Sequence, residues 1–110
     1  MSAQHKDLAA GRWSQLPFLE QMANIGSEVE RALSWRAKKY EDYSRRASER
    51  ALELIDLSLD SAEGLSRLKE LARTREALVD YFYGANEYQS TDESWKKYFT
   101  SFTYAVRRNS

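Results

Sequence analysis

Between Phe18 and Arg108 the chain contains no proline, and apolar residues recur through almost all of that span at helical spacing. Proline is excluded from helix interiors because it removes a backbone donor and clashes with the preceding turn, and each packed helix needs one apolar face to bury. Such a run predicts an all-α fold. With 110 residues the chain has material for one core and not for two. The expectation is an antiparallel four-helix bundle over residues 17–110, preceded by a short N-terminal arm over residues 1–16.

The apolar stripes divide the bundle. Pro17 suits a first helical turn, where its missing N–H has no intrahelical partner. A helix is predicted from there to about Ala37, with Leu19, Met22, Val29 and Leu33 in line. Gly26 lies on the same line, where a glycine lets a neighbouring helix approach at a cost of roughly 1 kcal/mol in helix propensity. A second helix is predicted from about Tyr40 to Leu59, using Tyr43, Ala47, Ala51, Leu54 and Ser58.

No glycine, proline or asparagine separates these two helices, and the stripe runs from Leu33 through Arg36 and Tyr40 to Ala47. One continuous helix is therefore the alternative, and it would have to find its partners in other chains. Helices of that length are uncommon in small domains, so a hairpin near Lys38 to Asp42 is expected. Asp60 or Ser61 suits the N-cap of a third helix, carried by Leu65, Leu68, Ala72, Val79 and Phe82, supported by Leu71 and Leu78, and ending near Gly84. Ser90 with Glu93, or Thr91 instead, opens a fourth helix that buries Trp95, Phe99, Phe102 and Val106. In the arm, Leu8 and Trp13 are available to dock on the body.

Composition excludes several chemistries. The chain has no cysteine and a single histidine, His5. Di-iron sites of the ferritin type need a Glu-x-x-His pair on two helices, and hydrolytic triads need a helical or loop histidine beside a nucleophile. No apolar run approaches the roughly 20 residues of a membrane span, and the N-terminus lacks a signal-peptide apolar segment. A cytoplasmic protein with no cofactor is the expectation, and the absence of cysteine agrees with it.

The net charge of zero hides an uneven distribution: residues 31–50 carry seven Lys or Arg against three acids, and residues 51–93 carry four against ten. In the basic stretch Trp35, Arg36, Lys38, Lys39, Arg45 and Arg46 interleave with Tyr40 and Tyr43. Phosphate contacts with base stacking use this mixture, so RNA or single-stranded DNA is a candidate ligand. Glu41 and Asp42 interrupt the segment, and the two tyrosines fall on the core stripe; a charged hairpin tip closed by tyrosines is the ordinary reading. Tyr81, Tyr83, Tyr88, Tyr98 and Tyr104 exceed what one small core hides, and exposed tyrosine clusters serve as association surfaces. Self-association to a homo-oligomer, or docking of a protein partner, is expected on that face, the alternative being a core that is simply rich in aromatics.

The carboxylates Glu49, Glu53 and Asp56 lie near one face of the second helix, with Glu28, Glu76 and Asp80 as partners from neighbouring helices. Acids converging from facing helices hold Mg²⁺. Glu53-Leu54-Ile55-Asp56 resembles the second acidic motif of the all-α nucleotide pyrophosphatases, which makes a Mg²⁺-dependent nucleotide hydrolase the alternative function. Their first motif, a Glu pair one turn apart, is missing, because Glu28 and Glu30 are two positions apart. Salt bridges to Arg45, Arg46 and Arg50 are the ordinary reading of this face.

The stretches Glu20-Gln21-Met22-Ala23-Asn24-Ile25-Gly26-Ser27-Glu28-Val29 and Arg50-Ala51-Leu52-Glu53-Leu54-Ile55-Asp56-Leu57 resemble those of small microbial helical proteins. In overall design the chain is similar to the four-helix proteins encoded in ribosomal RNA intervening sequences and to the accessory proteins of diversity-generating retroelements. The resemblance implies non-enzymatic oligomers that bind nucleic acid through a basic surface. A non-enzymatic, self-associating interaction or scaffold module, with nucleic acid as a candidate ligand of its basic hairpin, is the function expected from the sequence.

Overall fold

A computed structural model of the protein describes residues 11–108, and among these the secondary structure is entirely helical. A helical stretch ends at Trp13 and is followed by α1 (Phe18–Ala37), α2 (Glu41–Ser61), α3 (Leu65–Tyr83) and α4 (Asp92–Arg108). Leu8 and His5 lie outside the described residues. Helix α1 is central, packing against α2 on one side and α4 on the other, and α3 packs on α2.

The chain turns between α1 and α2 without a glycine. Lys39 takes the left-handed conformation, with φ of 68°. The amide of Tyr40 donates to Trp35 O at 2.9 Å and that of Lys39 to Arg36 O at 2.9 Å, the paired bonds that satisfy the last carbonyls of a helix. A lysine has taken a position that usually shows a glycine in sequence, so the break carries no compositional mark. Beyond the turn, Ser44, Ala47, Ser48 and Ala51 present a buried face of small residues. The Ser44 hydroxyl donates to Ala32 O at 2.9 Å and fastens α2 to α1.

The third helix buries the expected supporting residues Leu71 and Leu78 but not its expected main stripe. Its buried positions are Leu71, Thr74 and Leu78, whereas Leu65 is 67% and Leu68 36% exposed and Ala72 is also exposed. Thr74 reads as polar in sequence but lies inside because its hydroxyl meets Tyr98 Oη at 2.9 Å. The expected caps at Asp60 and Ser61 fall inside α2. Gly64, with φ of 95°, starts α3 instead, and the Leu68 amide donates to its carbonyl at 3.3 Å. At α4 the cap is Thr91: its Oγ1 accepts from the Ser94 amide at 3.0 Å, and Ser94 Oγ accepts from the Thr91 amide at 2.9 Å.

The core joins Met22, Ile25, Val29 and Leu33 of α1 to Ile55, Leu71, Leu78, Trp95 and Phe99. Trp13 belongs to it although it precedes α1. Its ring is buried, its Nε1–H donates to Ser58 Oγ at 2.8 Å, and its carbonyl accepts from Gln21 Nε2 at 2.9 Å. No helix among the described residues is long and apolar enough to cross a membrane.

Candidate nucleic-acid interface

The turn at Lys38 to Tyr40 brings the last turn of α1 against the first turn of α2. Trp35 and Tyr43 stack there with centroids 4.8 Å apart and planes inclined by 30°. Tyr40 closes the group edge-on, 5.5 Å from Trp35 and 6.1 Å from Tyr43. Lys38 Nζ lies 5.4 Å from the Trp35 ring and Arg46 Cζ 5.6 Å from the Tyr43 ring. Tyr40 and Tyr43 are about half exposed, at 52% and 49%. The tyrosines that sequence periodicity assigns to the core therefore face solvent, and a cation lies over the ring of Trp35 and another over that of Tyr43.

From Trp35 and Lys38 an open groove of ≈ 460 Å³ follows the outer face of α1 past Ser34, Arg31 and Glu30 to Ser27. Arg31 is bound to Glu28 at 3.2 Å, and Arg50 reaches the same carboxylate at 3.2 Å. By contrast Lys38, Lys39, Arg45 and Arg46 form no ion pair among the described residues. The hairpin thus presents cations that are not tied up in ion pairs, with Glu41 and Asp42 lying between them in the chain.

The six basic-stretch residues do not share one surface. Trp35, Lys38 and Arg46 gather around the aromatic stack, and Lys39 is exposed at the turn itself. Arg36 points elsewhere: its Nη2 is 3.4 Å from Asp92 Oδ1, and its guanidinium lies 4.7 Å from the Tyr81 ring and 4.9 Å from Phe82. Arg45 lines a small pocket with Arg36, between α2 and the end of α3. Neighbours in sequence on a helix point in different directions, and that separates Arg36 from Trp35 and Arg45 from Arg46.

The tyrosines expected on an association surface are also divided. The Tyr81 hydroxyl donates to Asp92, and burial, then that bond, push its pKa up to about 12. Tyr98 donates to Glu70 and accepts from Thr74; burial first and the Glu70 bond second hold its pKa well above the ordinary tyrosine range. Both are structural, and Tyr98 bridges α3 and α4. Tyr83 is exposed over its ring but has its hydroxyl 2.5 Å from Ser48 Oγ. Tyr88 and Tyr104 are exposed at 54% and 61%. A bond to Glu76 raises the Tyr88 pKa, and Arg108 lies 5.9 Å from the Tyr104 ring.

The acidic residues form no metal centre among the described residues, where no three acids or histidines converge. Asp56 is held by Arg75, with Nε at 2.7 Å and Nη2 at 3.3 Å, and this bond raises the arginine pKa against the opposing effect of burial. Glu28 binds Arg31 and Arg50. Asp80 accepts from the Glu87 and Tyr88 amides at 2.8 and 3.0 Å and shapes the loop before α4. Glu49 and Glu53 are left on α2 with no third acid converging on them among the described residues.

No protein-family model, curated protein or solved structure matches this chain.

Proposed function

We propose that the protein is a non-catalytic binding module, an antiparallel four-helix bundle whose α1–α2 hairpin takes single-stranded RNA or DNA in a cytoplasmic setting. The observation that carries this reading is the Trp35–Tyr43 stack, with Tyr40 beside it and Lys38 and Arg46 over its rings. Single strands are bound by aromatic platforms flanked by cations that meet the phosphates, and every base has a face to stack. The groove along α1 continues from the platform past two serine hydroxyls and gives a strand a path. The resemblance to the ribosomal RNA intervening-sequence and retroelement accessory proteins points the same way.

Fluorescence anisotropy of a labelled mixed-sequence single strand at low ionic strength tests the reading. Binding that is lost in Lys38→Glu/Arg46→Glu, in a protein of unchanged helicity, supports it. Absence of binding by the unaltered protein overturns it.

Self-association is a second reading, favoured by the exposure of Leu65 and Leu68 three positions apart on α3. Light scattering on a size-exclusion column tests it: an oligomer that Leu65→Glu converts to monomer supports it, and a monomer at all concentrations removes it. The hydrolase alternative has less support, since Asp56 is occupied by Arg75 and the remaining acids do not converge.

A further inference from the structure

A pocket of ≈ 120 Å³ lies between α1, α2 and the end of α3 and is lined by none of the residues of the aromatic stack. Sites for whole small molecules run from about 300 Å³ upwards, so this volume suits a single polar group with its waters. Arg36 and Arg45 both line it. Arg45 forms no ion pair among the described residues, and the Arg36 guanidinium lies at the pocket's Phe82, 4.9 Å from that ring and 4.7 Å from Tyr81, while giving one N–H to Asp92 at 3.4 Å. A guanidinium carries five N–H donors, which leaves both arginines donors to offer.

The hydroxyls in the pocket are committed. Ser44 Oγ donates to Ala32 O and Ser48 Oγ to Arg45 O, both at 2.9 Å. Since Ser48 has one proton, Tyr83 is the donor in their 2.5 Å contact. The pocket therefore offers charged N–H donors rather than hydroxyl donors, a set that fits the oxygens of a tetrahedral anion. Glu41 lines the same pocket and is its single opposing charge.

We propose that the pocket between Arg36 and Arg45 is a seat for a phosphate group, supplied either as free phosphate or by the end of a bound strand. The seat is separate from the stacking face and does not rest on it. Glu41 keeps it weak, so that binding depends on both arginines together.

The test follows the Nε–H resonances of Arg36 and Arg45 by NMR as inorganic phosphate replaces chloride at constant ionic strength. Saturable shifts at both, with affinity about tenfold weaker in Arg45→Gln and about threefold tighter in Glu41→Gln, support the seat. Arg46→Gln, at a residue that does not line the pocket, leaves the titration unchanged. No saturable shift, or equal weakening by Arg45→Gln and Arg46→Gln, overturns it.

Paired oligonucleotides with and without a terminal phosphate separate the sources. Tighter binding of the phosphorylated strand that disappears in Arg45→Gln assigns the seat to a strand end, whereas equal binding with inorganic phosphate still saturating assigns it to free phosphate. Tyr43→Ala strips the stacking platform and leaves the inorganic phosphate titration intact, so failure of the nucleic-acid reading and failure of the phosphate seat give different results.

Discussion

Gly26 on α1 and Phe99 on α4 meet at a separation that excludes any side chain at position 26. A β-carbon there would lie 2.7 Å from Phe99 Cβ, 2.8 Å from its Cγ and 2.9 Å from Cδ1. The near end of the phenylalanine is fixed by the α4 backbone, so turning the ring does not relieve the contact. This crossing holds α4 against α1, and Trp95 stacks on Phe99 with centroids 5.9 Å apart to extend it.

Gly26→Ala is expected to destabilise the protein despite the better helix propensity of alanine. Overpacking costs about 1–3 kcal/mol and propensity returns roughly 1 kcal/mol, leaving a net loss of up to about 2 kcal/mol in urea unfolding. The cycle with Phe99→Leu reads the coupling, because leucine keeps Cβ and Cγ but frees the ring volume. A Gly26→Ala protein more stable than the parent contradicts the close crossing.

Trp13 precedes α1 yet fills the core, so Trp13→Ala is expected to cost about 3–5 kcal/mol, the range of large aromatic truncations. Trp13→Phe keeps most of the burial and forfeits the bond to Ser58 Oγ. That hydroxyl still donates to Leu54 O at 2.9 Å, so the loss is limited to about 1 kcal/mol. Chemical denaturation of the two variants checks both values. Equal small losses would mean that the segment before Pro17 contributes nothing to the core.

Lys39 holds φ of 68°, a conformation that costs a residue with a β-carbon about 1 kcal/mol or more and glycine very little. Lys39→Gly is thus expected to raise stability by up to about 1 kcal/mol, the conformational gain being offset in part by the greater entropy of unfolded glycine. A rise in the urea midpoint with an unchanged slope is the expected signature. A fall shows that the lysine side chain itself supports the turn.

These sites mark how far the sequence could be read. Helices α1 and α4 were legible because long proline-free stripes around Met22, Val29 and Leu33 and around Trp95 and Phe99 leave one buried face each. Gly26 was legible as a point of close approach for the same reason. The phase of α3 was legible only in part: Leu71 and Leu78 carry its inner line as supporting positions, but Thr74 completes it, and the burial of Thr74 depends on a tyrosine twenty-four residues away. The hairpin was placed by length alone, its left-handed residue being a lysine. At the candidate site the basic and aromatic composition could be read directly. The partners of Arg36, namely Asp92, Tyr81 and Phe82, could not, because they follow from which helices flank α1.

Alkaline pH is expected to destabilise the fold through Tyr81 and Tyr98. A tyrosine is neutral when protonated, and both are held above their ordinary pKa of about 10 in the folded protein. Their contribution is complete below about pH 10 and is lost as the pH rises from there, for Tyr81 through its folded value near 12, because the unfolded chain releases its protons first. Urea midpoints should be flat from neutral pH to about 9 and then fall. Tyr98→Phe should lower the plateau and soften the fall, and an equally steep fall in that variant assigns the effect to other groups.

Stacking and charge leave different marks on nucleic-acid affinity, and the hairpin separates them by residue. Tyr43→Ala removes one member of the stack and is expected to weaken single-strand binding by about 1–3 kcal/mol at every salt concentration. Lys38→Gln removes a phosphate contact: it weakens binding most at low salt and reduces the slope of log K against log salt by about 0.7, the release expected for one phosphate of a single strand. Arg46 sits over the Tyr43 ring, so Arg46→Gln should show both effects, a smaller slope and a residual loss at high salt. Anisotropy titrations of the three variants across a salt series read these terms separately. If Tyr43→Ala changes only the slope, the ring orients Arg46 rather than stacking on a base, and the platform reading fails while the electrostatic one stands.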